Sequence, residues 1–244
     1  MNFGEEKVKE LSVFLPAYNE EDNIESTIRA VHKTLKIIAE KFEIIVINDG
    51  SFDRTLEILE KLEKEFKELL IINHEQNKGY GASLISGFYN SKYEWIAFMD
   101  SDGQFDFSEI TNLIKKQKET NTDLVIGQYI HRKVSKSRKL NTILWQFFIR
   151  MMFGLKVKDI DCGLKLIRKK VIEEIPKLKS QRGAFISTEF LVKAKAKKFK
   201  IAEIPVNHFE RKKGKATGGD LKVIINSFKD LFKLKKELNK NGEI

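Results

Sequence analysis

A chain of 244 residues with 41% apolar content and 18 phenylalanines can bury one good core, which argues against a disordered protein. A single cysteine, Cys162, excludes an intramolecular disulfide, and no apolar stretch reaches the roughly 18 residues needed to span a bilayer. The net charge of +10 is segregated: residues 1–130 hold 15 Lys+Arg against 24 Asp+Glu, and residues 131–244 hold 30 against 11. Such a split predicts that the second half meets an anionic partner: a membrane, a nucleic acid or a phosphorylated substrate. The segment Met1 to Leu11 is acidic and polar, unlike a signal peptide, so the expected setting is cytoplasmic, either soluble or peripheral to the cell membrane.

In chain order, Leu11–Leu15, Ile44–Ile47, Leu69–Ile72, Trp95–Met99 and Leu124–Ile126 read as buried strands. Asp22–Ala39, Asp53–Phe66, Ala82–Asn90 and Phe107–Thr120 carry helical patterns between them. Alternation of this kind predicts βαβ units and a mainly parallel sheet flanked by helices, with ligands at the carboxyl ends of the strands. The polar or glycine-rich turns Pro16–Glu20, Asn48–Ser51, Asn77–Gly81 and Asp100–Gln104 fall at four such ends and outline one crevice. The stretch 138–155 is apolar nearly all round, rich in aromatics and flanked by Arg138, Lys139, Arg150, Lys156 and Lys158; it suits either a core helix or an interfacial one. The last segment, Leu221–Leu238, sets apolar residues on one face and lysines elsewhere, a basic amphipathic helix that suits an anionic membrane surface or packing on the sheet. No linker or repeat divides the chain, so residues 1–220 read as one domain, with 221–244 part of it or appended to it.

The run Phe98-Met99-Asp100-Ser101-Asp102-Gly103-Gln104 carries the most chemistry. Alternate side chains at a strand tip face the same way, so Asp100 and Asp102 can converge on one point. Two adjacent anions call for a cation between them. Mg²⁺ or Mn²⁺, held by carboxylates and by a substrate's phosphates, fits that donor set.

Taken together, the motifs resemble family 2 glycosyltransferases of the GT-A, Rossmann-like fold. Leu15-Pro16-Ala17-Tyr18-Asn19-Glu20-Glu21-Asp22 looks like their first motif, and Asn48-Asp49-Gly50-Ser51-Phe52-Asp53-Arg54-Thr55 like the second. Asn77-Lys78-Gly79-Tyr80-Gly81-Ala82 resembles the glycine-rich third, and Asp100-Ser101-Asp102 the metal-binding D-x-D. Asp159-Ile160-Asp161-Cys162-Gly163-Leu164-Lys165 and Glu203-Ile204-Pro205-Val206, followed by Arg211-Lys212-Lys213-Gly214-Lys215, are similar to the branch that makes dolichyl- or polyprenyl-phosphate sugars.

That resemblance implies a nucleotide-sugar donor of the GDP-mannose or UDP-glucose type, a dolichyl or polyprenyl phosphate acceptor, a divalent ion and inversion at the anomeric carbon. Pro16 and Tyr18 would wall the nucleobase, with Ala17 and Ile47 also on the donor side, and Glu20 and Asp49 would accept hydrogen bonds from base or ribose. Lys78, Ser101, Arg211 and Lys215 join them on the donor side, the last two on a basic loop suited to a pyrophosphate. Asp100, Asp102 and Gln104 are the expected metal set. Asp53 falls at an N-cap position, which favours a structural role. His208, a lone histidine after a strand, also reads more readily as structural.

The acceptor decides which other groups are needed. A hydroxyl must lose a proton as it attacks, whereas a polyprenyl phosphate is already an anion. Arg132 and Arg138 would bind that phosphate, and Asp159 or Asp161 would orient the acceptor, complete the metal site or, for a hydroxyl acceptor, serve as base. A glycan or glycolipid hydroxyl is therefore the alternative acceptor, and a nucleotide-sugar-binding protein without turnover a further alternative. No aromatic-basic platform supports nucleic-acid binding. Gln128 stands where mannosyltransferases of this branch tend to carry Arg, and Asn48 replaces the first Asp of the second motif.

Overall fold

The computed structural model describes residues 7–130, 136–181, 183–210 and 221–242. The elements run β1 (Val8–Ala17), α1 (Ile24–Ile38), β2 (Ala39–Asn48), α2 (Thr55–Glu65), β3 (Leu69–Asn73), α3 (Tyr80–Asn90), β4 (Trp95–Met99), a 3-10 turn (Phe107–Glu109) and α4 (Ile110–Thr120). They continue as β5 (Leu124–Tyr129), α5 (Lys136–Phe153), β6 (Leu164–Arg168), α6 (Lys169–Glu174), α7 (Phe185–Ala196), β7 (Ile201–Val206) and α8 (Leu221–Lys240). Every strand and helix expected from the first 130 residues is present, most with ends moved by a few residues. The antiparallel strand β6 and the helices α6 and α7 have no counterpart in the sequence reading.

The seven strands form one sheet in the order β3-β2-β1-β4-β6-β5-β7. β1 lies parallel to β2 and β4, β2 to β3, and β5 to β7, whereas β6 is antiparallel to both β4 and β5. Six strands thus end at the same edge, and β6 begins there. Leu11, Val13, Phe14 and Leu15 on consecutive pleats of β1 have no exposed surface, as expected of a central strand covered on both faces. Phe14 stacks on Phe98 of β4 at 5.2 Å and meets Phe88 of α3 edge-on at 4.9 Å, and Phe88 stacks on Phe190 of α7 at 5.1 Å. α1 buries Ile24, Ile28, Val31, Leu35 and Ile38, the stripe its spacing predicts. Pro205, which has no N–H for a ladder, falls in the outermost strand β7.

The two segments with alternative expectations divide by face. α5 buries Ile149 and Phe153, and its Trp145 meets Phe228 of α8 at 5.2 Å, while Ile143, Leu144, Phe147 and Met151 stand in solvent. α8 buries Leu231, Leu234 and Leu238 and exposes Phe232. No helix among the described residues is long and apolar enough to cross a membrane.

Candidate functional site

A cavity of about 740 Å³ opens at the shared edge of the sheet, lined by Pro16, Ala17, Tyr18, Asn19, Glu20, Asp49, Asn77, Gly79, Tyr80, Ser83, Asp100, Ser101, Asp102 and Gly183. Four strand ends that are distant in sequence therefore meet where the topology sends them. Ser101 is buried and its hydroxyl donates to the Pro16 carbonyl at 2.5 Å, bolting the tip of β4 to the tip of β1. With Ser101 turned inward, the pleat sends Asp100 and Asp102 toward the cavity.

The first and second motifs are stitched together by their own polar groups. Asn19 N–H donates to Ser51 Oγ and Glu20 N–H to Thr55 Oγ1, each at 2.9 Å. Asp53 accepts from Thr55 N–H (2.9 Å) and from Glu21 N–H (3.1 Å), which ties the start of α2 to the first motif from one residue before its N-cap, Arg54, and not from the N-cap position itself. Glu20 accepts from Asn23 Nδ2 at 2.8 Å. Tyr18 is partly exposed at the cavity and meets the open ring of Phe52 edge-on at 6.1 Å.

Asp49 organises the turn before α3. Its Oδ1 accepts from Lys78 N–H at 3.0 Å and its Oδ2 from Gly79 N–H at 2.8 Å. His74 Nδ1 stands 2.7 Å from the same Oδ1; a carboxylate only accepts here, so Nδ1 carries a proton and donates, and Nε2 is hydrogen-bonded with Ser86 Oγ at 2.9 Å. Nothing in the sequence pattern singled out His74. Ile47 corrects the reading that sets it among the donor-binding residues: its side chain has no exposed surface and belongs to the core beneath Asn48 and Asp49. Lys78 is exposed between the lining residues Asn77 and Gly79.

Around the carboxylate pair, the Tyr80 hydroxyl donates to Asp100 Oδ1 at 2.9 Å, and Asp102 Oδ1 accepts from Gln104 N–H at 3.1 Å. Burial first, and the Asp100 charge second, push the Tyr80 phenol well above its usual range. Gln104 Nε2 donates to the Phe209 carbonyl at 2.9 Å while Phe209 N–H returns a bond to the Gln104 carbonyl, so this residue ties the carboxylate turn to the segment after β7. His208 packs there against Tyr129 and Phe105 with ring centroids 4.5 and 5.3 Å away.

The donor set of Asp100 and Asp102 is all hard oxygen. No group of three or more His, Cys, Asp or Glu among the described residues could hold a metal by itself. An ion held by this pair would take the rest of its shell from a ligand, water or other oxygen donors, as Mg²⁺ does beside substrate phosphates. The residues fit such an ion.

Asp159 and Asp161 do not line the cavity. They sit on the loop leading into β6, where Glu203 Oε1 accepts from Lys158 N–H and Asp159 N–H, and Asp159 Oδ2 accepts from Tyr129 N–H at 3.3 Å. Asp100 N–H donates to the Gly163 carbonyl at 3.0 Å, so this loop backs directly onto the carboxylate turn. Burial raises the neighbouring Cys162 thiol to about 12, an inert group at neutral pH. Arg132, Arg211 and Lys215 lie outside the described residues, and Arg138 lies in α5 with its side chain outside them.

A family model described as Glycosyl transferase family 2 matches residues 12–176, which include the cavity's strand ends, the carboxylate pair and the loop before β6. The chain belongs to glycosyltransferase family 2. A dolichyl-phosphate beta-glucosyltransferase of Saccharomyces cerevisiae is 29% identical to this glycosyltransferase over 245 residues, covering 90% of this chain and 71% of that protein. The dolichyl-phosphate beta-glucosyltransferase ALG5A of Trichomonas vaginalis is 30% identical over 238 residues, covering 92% and 72%. Among solved structures, glucosyl-3-phosphoglycerate synthase from Mycobacterium tuberculosis in complex with Mn²⁺ and UDP-glucose superposes with a TM-score of 0.68 at 18% identity, covering 96% of this chain and 79% of that one. At that identity the likeness is one of fold, and the fold of this family 2 enzyme is GT-A.

Proposed function

We propose that this enzyme transfers a hexose, glucose in the first instance, from a nucleotide-diphosphate sugar to a polyprenyl or dolichyl phosphate at a membrane surface. One observation carries the reading: the Asp100/Asp102 pair opens on a cavity large enough for a nucleotide sugar, in a chain whose relatives along nine-tenths of its length are dolichyl-phosphate glucosyltransferases. Gln128 in place of an arginine supports glucose over mannose.

Tyr18, with Pro16 and Ala17 behind it, offers apolar area to the base, and Glu20 accepts from base or ribose. Asp49 holds the turn of Lys78 and Gly79 in place beneath them. Asp100 and Asp102 would hold a divalent ion, with the Gln104 side chain as a further oxygen donor. Such an ion, Mg²⁺ or Mn²⁺, supplies neutralisation of the charge that grows on the departing diphosphate. Arg211 and Lys215 add positive charge to the same leaving group. A phosphate-monoester oxygen of the acceptor attacks the anomeric carbon, the bond from that carbon to the diphosphate oxygen breaks on the opposite face, and the configuration inverts. The attacking oxygen carries no proton at neutral pH, so Asp159 and Asp161 orient the acceptor, with Arg132 and Arg138 on its phosphate. The exposed Ile143, Leu144, Phe147 and Met151 of α5 and Phe232 of α8 support peripheral contact with an anionic membrane.

The test is transfer of labelled sugar into an organic-extractable, acid-labile lipid. Purified protein is given UDP-glucose, UDP-GlcNAc or GDP-mannose with polyprenyl phosphate and Mg²⁺ or Mn²⁺. Label from UDP-glucose in the lipid phase is the expected result. No label in lipid, with nucleoside diphosphate released once glycan acceptors are added, would replace the phosphate acceptor by a hydroxyl.

A further inference from the structure

We infer that Tyr80 is a positioning residue for Asp100: its hydroxyl fixes the orientation of that carboxylate and thereby sets how tightly the site holds a divalent cation beside a nucleoside diphosphate. The inference rests on the reading of Asp100 and Asp102 as cation ligands.

Two carboxylates on a turn are a poor preformed site. Each can rotate about its side-chain torsions, and their mutual repulsion drives them apart when no cation is present. Asp100 is restrained on three sides. Its N–H is bonded to the Gly163 carbonyl at 3.0 Å, its Oδ1 receives the Tyr80 hydroxyl at 2.9 Å, and its Oδ2 lies where a Cβ on residue 163 would stand. One oxygen is thus held by a donor and the other rests against backbone, which leaves the carboxylate plane little freedom. A neutral hydroxyl is the right partner for this task. It donates to the oxygen without bringing a positive charge that would compete with the cation for the carboxylate, as an arginine or lysine would.

A hydrogen bond positions its acceptor only if the donor is itself immobile, and Tyr80 is anchored from both neighbours. On one side, Gly79 N–H is bonded to Asp49 at 2.8 Å. On the other, Ala82 N–H donates to the Gln181 carbonyl at 2.8 Å, and Gly81 lies so close to the Ser180 carbonyl that no Cβ could be accommodated between them. The segment that supplies those carbonyls is pinned in turn. The buried Glu189 carboxylate accepts from Lys179 N–H at 3.0 Å and from Ser180 N–H at 2.8 Å, and it is neutralised by the fully buried Lys193 at 2.6 Å. α7, which carries Glu189 and Lys193, lies beyond the residues the family model matches. The phenol therefore reaches Asp100 from a scaffold that is rigid up to the ring.

Outer partners that orient metal ligands are worth about 10- to 100-fold in metal affinity. The experiment is Mn²⁺ binding by electron paramagnetic resonance of wild type and Tyr80→Phe, with UDP present and, in parallel, with GDP, followed by transfer kinetics across a Mn²⁺ titration. Tyr80→Phe keeps the ring and removes one oxygen, and an unchanged melting temperature shows that the fold is kept. The expected result is an Mn²⁺ dissociation constant raised by about tenfold, a matching rise in the KM for metal, and a kcat at saturating metal within about threefold of wild type. A purely structural tyrosine would not separate those last two quantities. Equal Mn²⁺ affinity in wild type and variant overturns the role of Tyr80 alone. Failure of the wild type to bind Mn²⁺ with either nucleotide overturns the cation reading itself, and this inference with it.

Discussion

Gly163 and Asp100 occupy almost the same space: a methyl group on the Gly163 Cα would overlap Asp100 Oδ2, while the backbones of the two residues are hydrogen-bonded at 3.0 Å. Gly163→Ala therefore forces the carboxylate to turn or the β6 entrance to retreat. The expected outcome is a modest stability loss of about 1–3 kcal/mol, typical of overpacking, with a much larger loss of sugar transfer. Thermal melts and single-turnover assays on the same preparation separate the two. Full activity in the alanine variant would show that the Asp100 orientation is irrelevant to turnover.

Asp100→Asn and Asp102→Asn each remove a charge from the cavity without changing side-chain size. Transfer should fall by about 10²–10³-fold or more in either variant, as when one electrostatic stabiliser of a leaving group is lost. Chelation by EDTA should abolish wild-type activity reversibly. Turnover that survives exhaustive chelation would remove the divalent ion from the mechanism.

The Lys193–Glu189 pair makes a graded stability test. Lys193→Met leaves Glu189 with its two backbone donors, whereas Glu189→Leu orphans Lys179 N–H and Ser180 N–H and takes from the buried ammonium its nearest carboxylate, leaving it the Lys177 carbonyl at 2.7 Å and Glu237 at 3.7 Å. Breaking a buried pair costs about 3–5 kcal/mol, and Glu189→Leu should stand at the top of that range with Lys193→Met below it. Denaturant titration gives the order directly; the reverse order would mean that the ammonium, and not the carboxylate, holds the 179–181 segment.

Glu237 supplies a pH signature for the docking of α8. Burial pushes its carboxyl up, but hydrogen bonding and charge from Lys179 at 2.9 Å and from Lys193 outweigh that, and the carboxyl is held below its ordinary value of 4.5. A carboxyl depressed in the folded state contributes stability that is complete above about pH 4.5 and is lost as pH falls through the lower folded value. The melting difference between wild type and Glu237→Gln should accordingly be constant at neutral pH and shrink as the solution is acidified past that point. A difference independent of pH throughout would mean that Glu237 acts only through packing.

The exposed face of α5 can be tested apart from the chemistry. Phe147→Glu and Met151→Glu place charge where apolar side chains now stand in solvent, so folding should be unaffected. Each side chain that enters a bilayer contributes about 1.5–3 kcal/mol, so either variant should weaken flotation with anionic liposomes by about tenfold or more. Equal flotation would move the membrane contact to another part of the molecule.

The half of the molecule that carries the donor cavity was legible because each strand there is a short apolar run that stops abruptly at polar or glycine residues. The ends of those runs mark the sheet edge, and the pleat then places Asp100 and Asp102 on one side. The second half resisted reading for physical reasons. β6 carries Lys165, buried with its ammonium on the Cys162 carbonyl, so its apolar run is broken by a charge. α7 buries Ser187, Thr188, Glu189 and Lys193 beside Phe185, Ile186, Phe190 and Leu191, so it shows no apolar stripe at helical spacing. Ile47 was misplaced for the opposite reason: it adjoins the polar strand end in sequence, but its pleat turns it into the core.

The direction of β6 has a consequence for how such an enzyme can change. Because this one strand runs against its neighbours, the loop before it is delivered to the same edge as the tips of the other six, and it enters between β4 and β5. The sheet is thereby joined along a seam, from Trp95 opposite Arg168 to Met99 opposite Leu164. On one side lie the strands that shape the donor cavity; on the other lie β5, β7 and the loops that follow them. Under the proposed function, the seam sets the strands that would hold the nucleotide sugar apart from the loops that would meet the acceptor, so a change confined to the far side leaves the donor strands untouched.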